Sequence, residues 1–181
     1  SKLLNLKIPK SNVLIINQVT EGQLQTVMAA KEMLKTDEDL LISPTDTYVA
    51  SNIKQAIQTK PSSCSGIISV IEKPGDQWSF AETDKNNKVI QVAEKRRISS
   101  LASTGLYYFS SCNRFIDFSN KIISSNEKTK GEFYVIPVYQ EYIDKGHFIS
   151  TNIADEMWDL GTPASIQHFI DNFQSTDPKL L

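Results

Sequence analysis

A chain of 181 residues and 20.3 kDa is long enough for one ordinary domain with its own core and too short for two large ones. Its 40% hydrophobic and 22% charged residues argue against disorder, and its formal net charge of -2 argues against a broad basic field for nucleic acid. Any phosphate must therefore be held by a local arrangement. The two Cys, Cys64 and Cys112, lie far apart and form no C-x-x-C pair, so both read as reduced thiols of a cytoplasmic protein. No apolar run approaches the ~20 residues that span a bilayer, and Ser1 to Lys7 lacks a signal-peptide pattern.

In chain order, Asn12 to Asn17 is a short β-branched apolar run and predicts a buried strand. Thr20-Glu21-Gly22-Gln23 has capping-box spacing and opens a helix with Leu24, Val27, Met28, Met33 and Leu34 apolar. Leu40 to Ile42 predicts another buried strand, ending at Ser43-Pro44-Thr45-Asp46. Ser51 to Thr59 is a short helix stopped by Pro61, and Gly66 to Ile71 a third buried strand. Trp78 to Thr83 and Lys88 to Ala93 read as a hairpin around Asp84-Lys85-Asn86-Asn87, where Asn tolerates positive φ. Thr104 to Phe109 is an aromatic-rich strand. Helices follow over Asn113 to Ser125 and Glu132 to Lys145, the second closed by Gly146. His147 to Ile153 is a last strand, and Thr162-Pro163 starts a helix with Ile166, Phe169, Ile170 and Phe173 apolar. The alternation predicts one α/β domain over residues 1–181, with a mostly parallel mixed sheet flanked by helices and an inserted β-hairpin section.

Ligands in such sheets sit beyond the carboxyl ends of strands. Asp46 follows one strand, and Asp159 follows Trp158 before Gly161-Thr162-Pro163. Each is equally readable as a turn or cap residue. Brought together, they suit one Mg²⁺, which takes one or two carboxylates, water and substrate phosphate oxygens. Glu94-Lys95-Arg96-Arg97 is either a solvated edge or an anion clamp, and the residue pattern leaves both open. His147 and His168 have no partner at metal-ligand spacing. G-x-S-x-G, G-x-G-x-x-G and P-loop patterns do not occur.

Five segments in order resemble the sugar nucleotidylyltransferase family: Gly22 to Thr26 with Ala29-Ala30-Lys31; Leu41 to Tyr48; Glu94-Lys95 followed by Ala102-Ser103-Thr104-Gly105-Leu106-Tyr107; Gly131-Glu132-Phe133-Tyr134; and Trp158-Asp159-Leu160-Gly161-Thr162-Pro163. The resemblance implies a Rossmann-like fold and transfer of a nucleotidyl group from a nucleoside triphosphate to a sugar 1-phosphate, releasing pyrophosphate, for nucleotide-sugar or surface-polysaccharide synthesis. It implies Asp46 and Asp159 on Mg²⁺, Glu94 on the sugar ring and Lys95 on its phosphate. Gln18 and Gly22 would lie near the base, and Thr104 and Gly105 would line the sugar pocket. Glu72-Lys73-Pro74 spells the family tripeptide literally, but it precedes the hairpin, so Glu94-Lys95 takes that role. Self-association is compatible with this reading; nucleic-acid or membrane partners are not expected.

The departures are Thr45 and Ser79 where the family has Gly, and Arg96 where Pro often follows Glu-Lys. They point toward an unusual sugar or a non-sugar phosphate. The family's Gly-rich triphosphate loop is also missing. The resemblance places Ser1 within a helix, about one third of the way into the expected domain. An N-terminally incomplete domain is therefore expected, inactive by itself, within a parent enzyme. The alternative is a non-catalytic nucleotide-sugar-binding or assembly domain.

Overall fold

The computed structural model describes residues 11–34 and 37–174. The expectation that Ser1 lies in a helix falls outside them. Residues 12–17 form no strand: Val13, Leu14 and Ile15 are exposed, Ile15 at 77%. A β-branched run becomes a buried strand only where a neighbour pairs with it, and none of the described strands does. Helix α1 is shorter than its periodicity suggests, Gln23–Met28, with Leu24 and Met28 buried. Its N-cap is Gly22 rather than Thr20, because the Gly22 backbone lies directly against Phe133.

Strands β1 (Leu40–Ile42) and β2 (Thr47–Ala50) are followed by helix α2 (Ile53–Thr59) and the long strand β3 (Cys64–Glu72). The hairpin is β4 (Ser79–Thr83) and β5 (Val89–Glu94). Its turn is closed by Asp84 Oδ1, which accepts from the Asn86 and Lys88 amides at 2.8 and 2.9 Å, with Asn87 at φ 60°. Strand β6 (Leu101–Phe109) returns beside β3. Helix α3 (Cys112–Ser124) buries Cys112, Phe115, Ile116, Ser119 and Ile122 on one face and is capped by Ser111. Helix α4 covers only Pro137–Asp144: proline at its first position sets the start, and residues 132–136 precede it as a turn-rich segment. Strands β7 (Phe148–Ile153) and β8 (Glu156–Asp159) lead to helix α5 (Pro163–Asn172), whose Thr162 and Ser165 form a capping box.

The main sheet has the order β5-β4-β6-β3-β7, with β1 also on β6. The α/β class holds and the sheet is mixed. Among the described strands only β3 and β7 pair in parallel; the β1–β6, β3–β6, β4–β6 and β4–β5 pairs are antiparallel. The inserted hairpin is the reason. It returns the chain to the sheet without a helical crossover, so β6 enters antiparallel to both neighbours.

Alternation along β3 and β6 sorts the core. Ile68, Val70, Tyr107 and Phe109 face the large cluster with Phe115, Tyr139 and Tyr142. Ile67 and Tyr108 face Ile53 of α2. Phe109 stacks on Tyr139 at 4.3 Å. The Tyr139 hydroxyl donates toward the Ile67 and Tyr108 carbonyls at 3.0 and 2.9 Å. Gly66 makes room for that ring, since a Cβ there would stand 2.7 Å from Tyr139 Cε1. Gly66→Ala should therefore lower unfolding stability by about 1–3 kcal/mol, read from a denaturant titration with unchanged slope.

Candidate active site

Strands β2 and β8, to which the sequence pattern assigns no element, form a separate two-stranded antiparallel sheet. Thr47 pairs with Asp159, Tyr48 with Trp158, Val49 with Met157 and Ala50 with Glu156. The Leu160 amide donates to the Asp46 carbonyl at 2.8 Å. This register sets Asp46 and Asp159 side by side although 113 positions separate them in the chain. Helix α5 clamps the ribbon: Phe173 lies 4.9 Å from Tyr48, Phe169 lies 5.5 Å from Trp158, and the two Phe rings stack at 4.4 Å. That is why α5 keeps an aromatic face without a fully buried residue.

Both carboxylates are exposed. Asp159 Oδ1 accepts from the Gly161 amide at 3.0 Å, while no hydrogen bond to the Asp46 carboxylate occurs among the described residues. A Cβ on Gly161 would stand 3.2 Å from Asp159 Oδ1 and 3.5 Å from Asp46 Oδ2. The two oxygens are thus no farther apart than the sum of those distances, with an open cradle between them. One hydrated divalent ion fits such a pair, its remaining positions left to water and substrate. Among the described residues no group of three or more His, Cys, Asp and Glu side chains converges as a closed metal site.

A cavity of about 190 Å³ opens beside Asp46. Glu94, Lys95, Thr104 and Gly105 all line it, as do Gln23, Trp78, Ser79, Tyr107 and Tyr134. Glu94 ends β5, and Lys95 turns the chain there with φ 51°. The Lys95 ammonium donates to the Tyr134 hydroxyl, which donates to Glu132 at 2.5 Å. The bond to Tyr134, more than any other influence, holds Lys95 above its ordinary pKa. Ser79 does more than narrow the cavity: its hydroxyl donates to Glu94 Oε2 and accepts from Tyr107 at 3.5 Å. Burial pushes the Tyr107 hydroxyl up to about 12, so it remains a donor. Burial also raises Glu94, with the Ser79 bond opposing. Thr104 is buried, its hydroxyl 3.4 Å from the Ser69 carbonyl. Gly105, at φ 84°, packs on Pro44 so closely that a Cβ would meet Pro44 Cγ at 3.0 Å. That contact ties the Asp46 loop to β6.

Gln18 and Gly22, expected near the base, do not line the cavities that hold Asp46. Gln18 lines a cavity of about 340 Å³ with Gln25, Asn120 and Ile123, a different set of residues from those around Asp46. Gly22 lines none of these cavities; a Cβ there would lie 2.5 Å from the Phe133 carbonyl oxygen, so this glycine serves packing. The α1 residues near Asp46 are Gln23 and Thr26, which line a cavity of about 280 Å³ with Thr45, Pro44 and Gly105. Helical phase is the reason: the face that buries Leu24 and Met28 in the core leaves Gln23 and Thr26 exposed. Trp78 and Tyr134 were also missed as lining residues. Their aromatic type reads equally as core, and only the fold shows them at a rim. Asp159 itself borders a neighbouring cavity of about 560 Å³ that shares Gln77, Trp78 and Met157 with the first.

This arrangement of paired carboxylates beside a lysine- and glutamate-lined cavity agrees with comparison to known proteins. Residues 6–175 match the nucleotidyl transferase family, and the chain belongs to it. Among solved structures it is similar to a nucleoside-diphosphate-sugar pyrophosphorylase from Vibrio cholerae RC9, at 30% identity and TM-score 0.72, over 87% of this chain and 68% of that one. It shares the fold of a protein from Bacillus anthracis assigned as a glucose-1-phosphate thymidylyltransferase and bound to a sucrose, at 18% identity and TM-score 0.68, over 90% and 67% of the two chains. No curated protein sequence matches. Both Cys are free thiols and buried, and no helix among the described residues is long and apolar enough to cross a membrane.

The raised Glu94 sets a pH signature. Its contribution to stability is fully present below the ordinary glutamate pKa and is lost as pH rises through the higher folded value. Glu94→Gln keeps an acceptor for Ser79 without the charge. It should melt above the wild type at pH 8 and converge with it near pH 4 in thermal unfolding scans.

Proposed function

We infer that the protein transfers a nucleoside monophosphate from a nucleoside triphosphate to a phosphorylated acceptor of the sugar 1-phosphate class, releasing pyrophosphate. The observation that carries this reading is that Asp46 lines the Glu94–Lys95 cavity with the Asp159 carboxylate set beside it at Gly161. Asp46 and Asp159 are the residues that would hold Mg²⁺, and the ion when bound would supply positive charge to substrate phosphate oxygens.

The remaining work falls to the chain's own side chains. Glu94, kept in place by Ser79, accepts from hydroxyls of the acceptor. Lys95, aimed by Tyr134, takes the acceptor phosphate. Thr104 and Gly105 form the cavity wall beside them, and Gln23 and Thr26 face the nucleotide base. An acceptor phosphate oxygen attacks the α-phosphorus, a new P–O bond forms, and the bond to the β-phosphate oxygen breaks. The nucleophile is already ionised near neutral pH, so no histidine or cysteine is needed. Positioning and charge neutralisation supply the rate. The reading of a nucleotide-sugar-binding domain without turnover draws on Thr45 and on the engagement of Lys95 by Tyr134.

A pyrophosphate-release assay across the common nucleoside triphosphates with sugar 1-phosphates tests the proposal. Metal-dependent release supports it. Tight nucleotide-sugar binding without release favours the binding-domain reading. Asp46→Asn and Asp159→Asn should each lower kcat by about 10²-fold or more with little change in melting temperature. Gly161→Ala should place a methyl in the cradle and weaken Mn²⁺ affinity in calorimetric titration, while the fold is retained.

A further inference from the structure

Lys73, just past the end of β3, has no part in the roles above. It lines the 560 Å³ cavity with Trp78, Met157, Trp158, Asp159 and Ser165. Its ammonium lies 4.9 Å from the centre of the Trp78 ring and donates one hydrogen bond, 3.3 Å long, to the Met157 carbonyl. An ammonium carries three donors. No other hydrogen bond and no salt bridge to the Lys73 ammonium occurs among the described residues. Burial lowers its pKa, and the nearby Asp159 charge opposes that shift. A half-buried cation without a carboxylate in contact is costly to hold unless a ligand uses it.

The charges around it decide what that ligand is. Asp155, Glu156 and Asp159 are the cavity's acids, and Glu156 is already engaged by Trp158 Nε1 at 2.6 Å. Lys73 is the one Lys or Arg among the described lining residues. Asp46 and Asp159 together offset one divalent ion, and Lys73, with two of its three donors unused, is the group on this wall left to meet an acceptor. Lys95, the cation of the first cavity, does not line this one. Ser165, in the first turn of α5, lies on the same wall, where the start of a helix favours an anion.

We propose that Lys73 forms a second phosphoanion subsite beside Asp159, separate from Lys95, that takes a phosphate group together with the divalent ion. This rests on the nucleotidyl-transfer reading. The phosphate is that of leaving pyrophosphate or of the acceptor, and the two are separable.

Trp78 and Trp158 are the chain's 2 tryptophans, and both line this cavity, so intrinsic fluorescence reports on it directly. Inorganic pyrophosphate and glucose 1-phosphate are titrated separately, with and without Mg²⁺, into wild type, Lys73→Met and Lys73→Arg. Methionine keeps the apolar stem along Trp78; Lys73→Gln serves in its place if methionine lowers the melting temperature. The wild type should show a saturable Mg²⁺-dependent change. The neutral variants should raise Kd by about tenfold or more, and arginine should stay within about threefold. A loss confined to pyrophosphate assigns the leaving group, and one confined to glucose 1-phosphate assigns the acceptor. Equal Kd in wild type and a stably folded neutral variant overturns the subsite. A larger response to tetramethylammonium than to either phosphate does so as well, because it makes the tryptophan wall a cation site. If the wild type releases pyrophosphate in turnover while Lys73→Met binds it undiminished, the subsite alone fails. A wild type that responds to neither phosphate, with or without Mg²⁺, overturns the subsite and the underlying reading together.

Discussion

The β2–β8 ribbon is the constraint on which the chemistry depends. Two four-residue strands are marginal by themselves, because a lone two-stranded ribbon buries too little apolar surface. Here the pairing is sustained from one side by α5 and its C-cap, whose Phe169 and Phe173 pack on Tyr48 and Trp158. Register follows from that packing. A slip by one residue would turn Tyr48 and Trp158 away from the helix and carry Asp46 away from Asp159. The aromatic residues of α5 therefore bear on the geometry of two carboxylates that they do not touch.

A second linkage runs through the main sheet. Pro44 sits on Gly105, so the loop carrying Asp46 is referenced to β6. The same strand supplies Thr104 and the Tyr107 hydroxyl that reaches Ser79. Glu94 and Lys95 arrive from the hairpin, which joins β6 through β4. Two acids from the ribbon and an acid–lysine pair from the hairpin thus meet against one rigid strand. Preorganisation of this kind is what a phosphoryl-group reaction asks of a protein.

Much of this was legible in the residues, with identifiable limits. Local chemistry located the hairpin turn at Asp84 to Asn87, the Thr162-Pro163 helix start and the Gly146 helix end, because caps and turns act over a few positions. The buried strand around Gly66 to Ile71 and the helix after Ser111 were equally plain from their apolar patterns. Where the pattern misled, long-range pairing was the cause. Val13 to Ile16 has strand composition but no described partner, and Thr47 to Ala50 has a partner that lies more than a hundred positions away. The parallel share of the sheet was overread because an inserted hairpin reverses the next strand.

The sequence by itself determined the α/β class and most elements, since residue type and local order carry that information, while its resemblance to a known family supplied the candidates Asp46, Asp159, Glu94, Lys95, Thr104 and Gly105. Only the tertiary structure decided that the two aspartates flank one cradle, and that Gln23 and Thr26 rather than Gln18 and Gly22 border the Asp46 side. It alone gave Lys73 and Lys95 separate cavities. The physical reason is that strand register, helical phase and the contact of a glycine with a distant backbone arise from packing between segments, which no local pattern records.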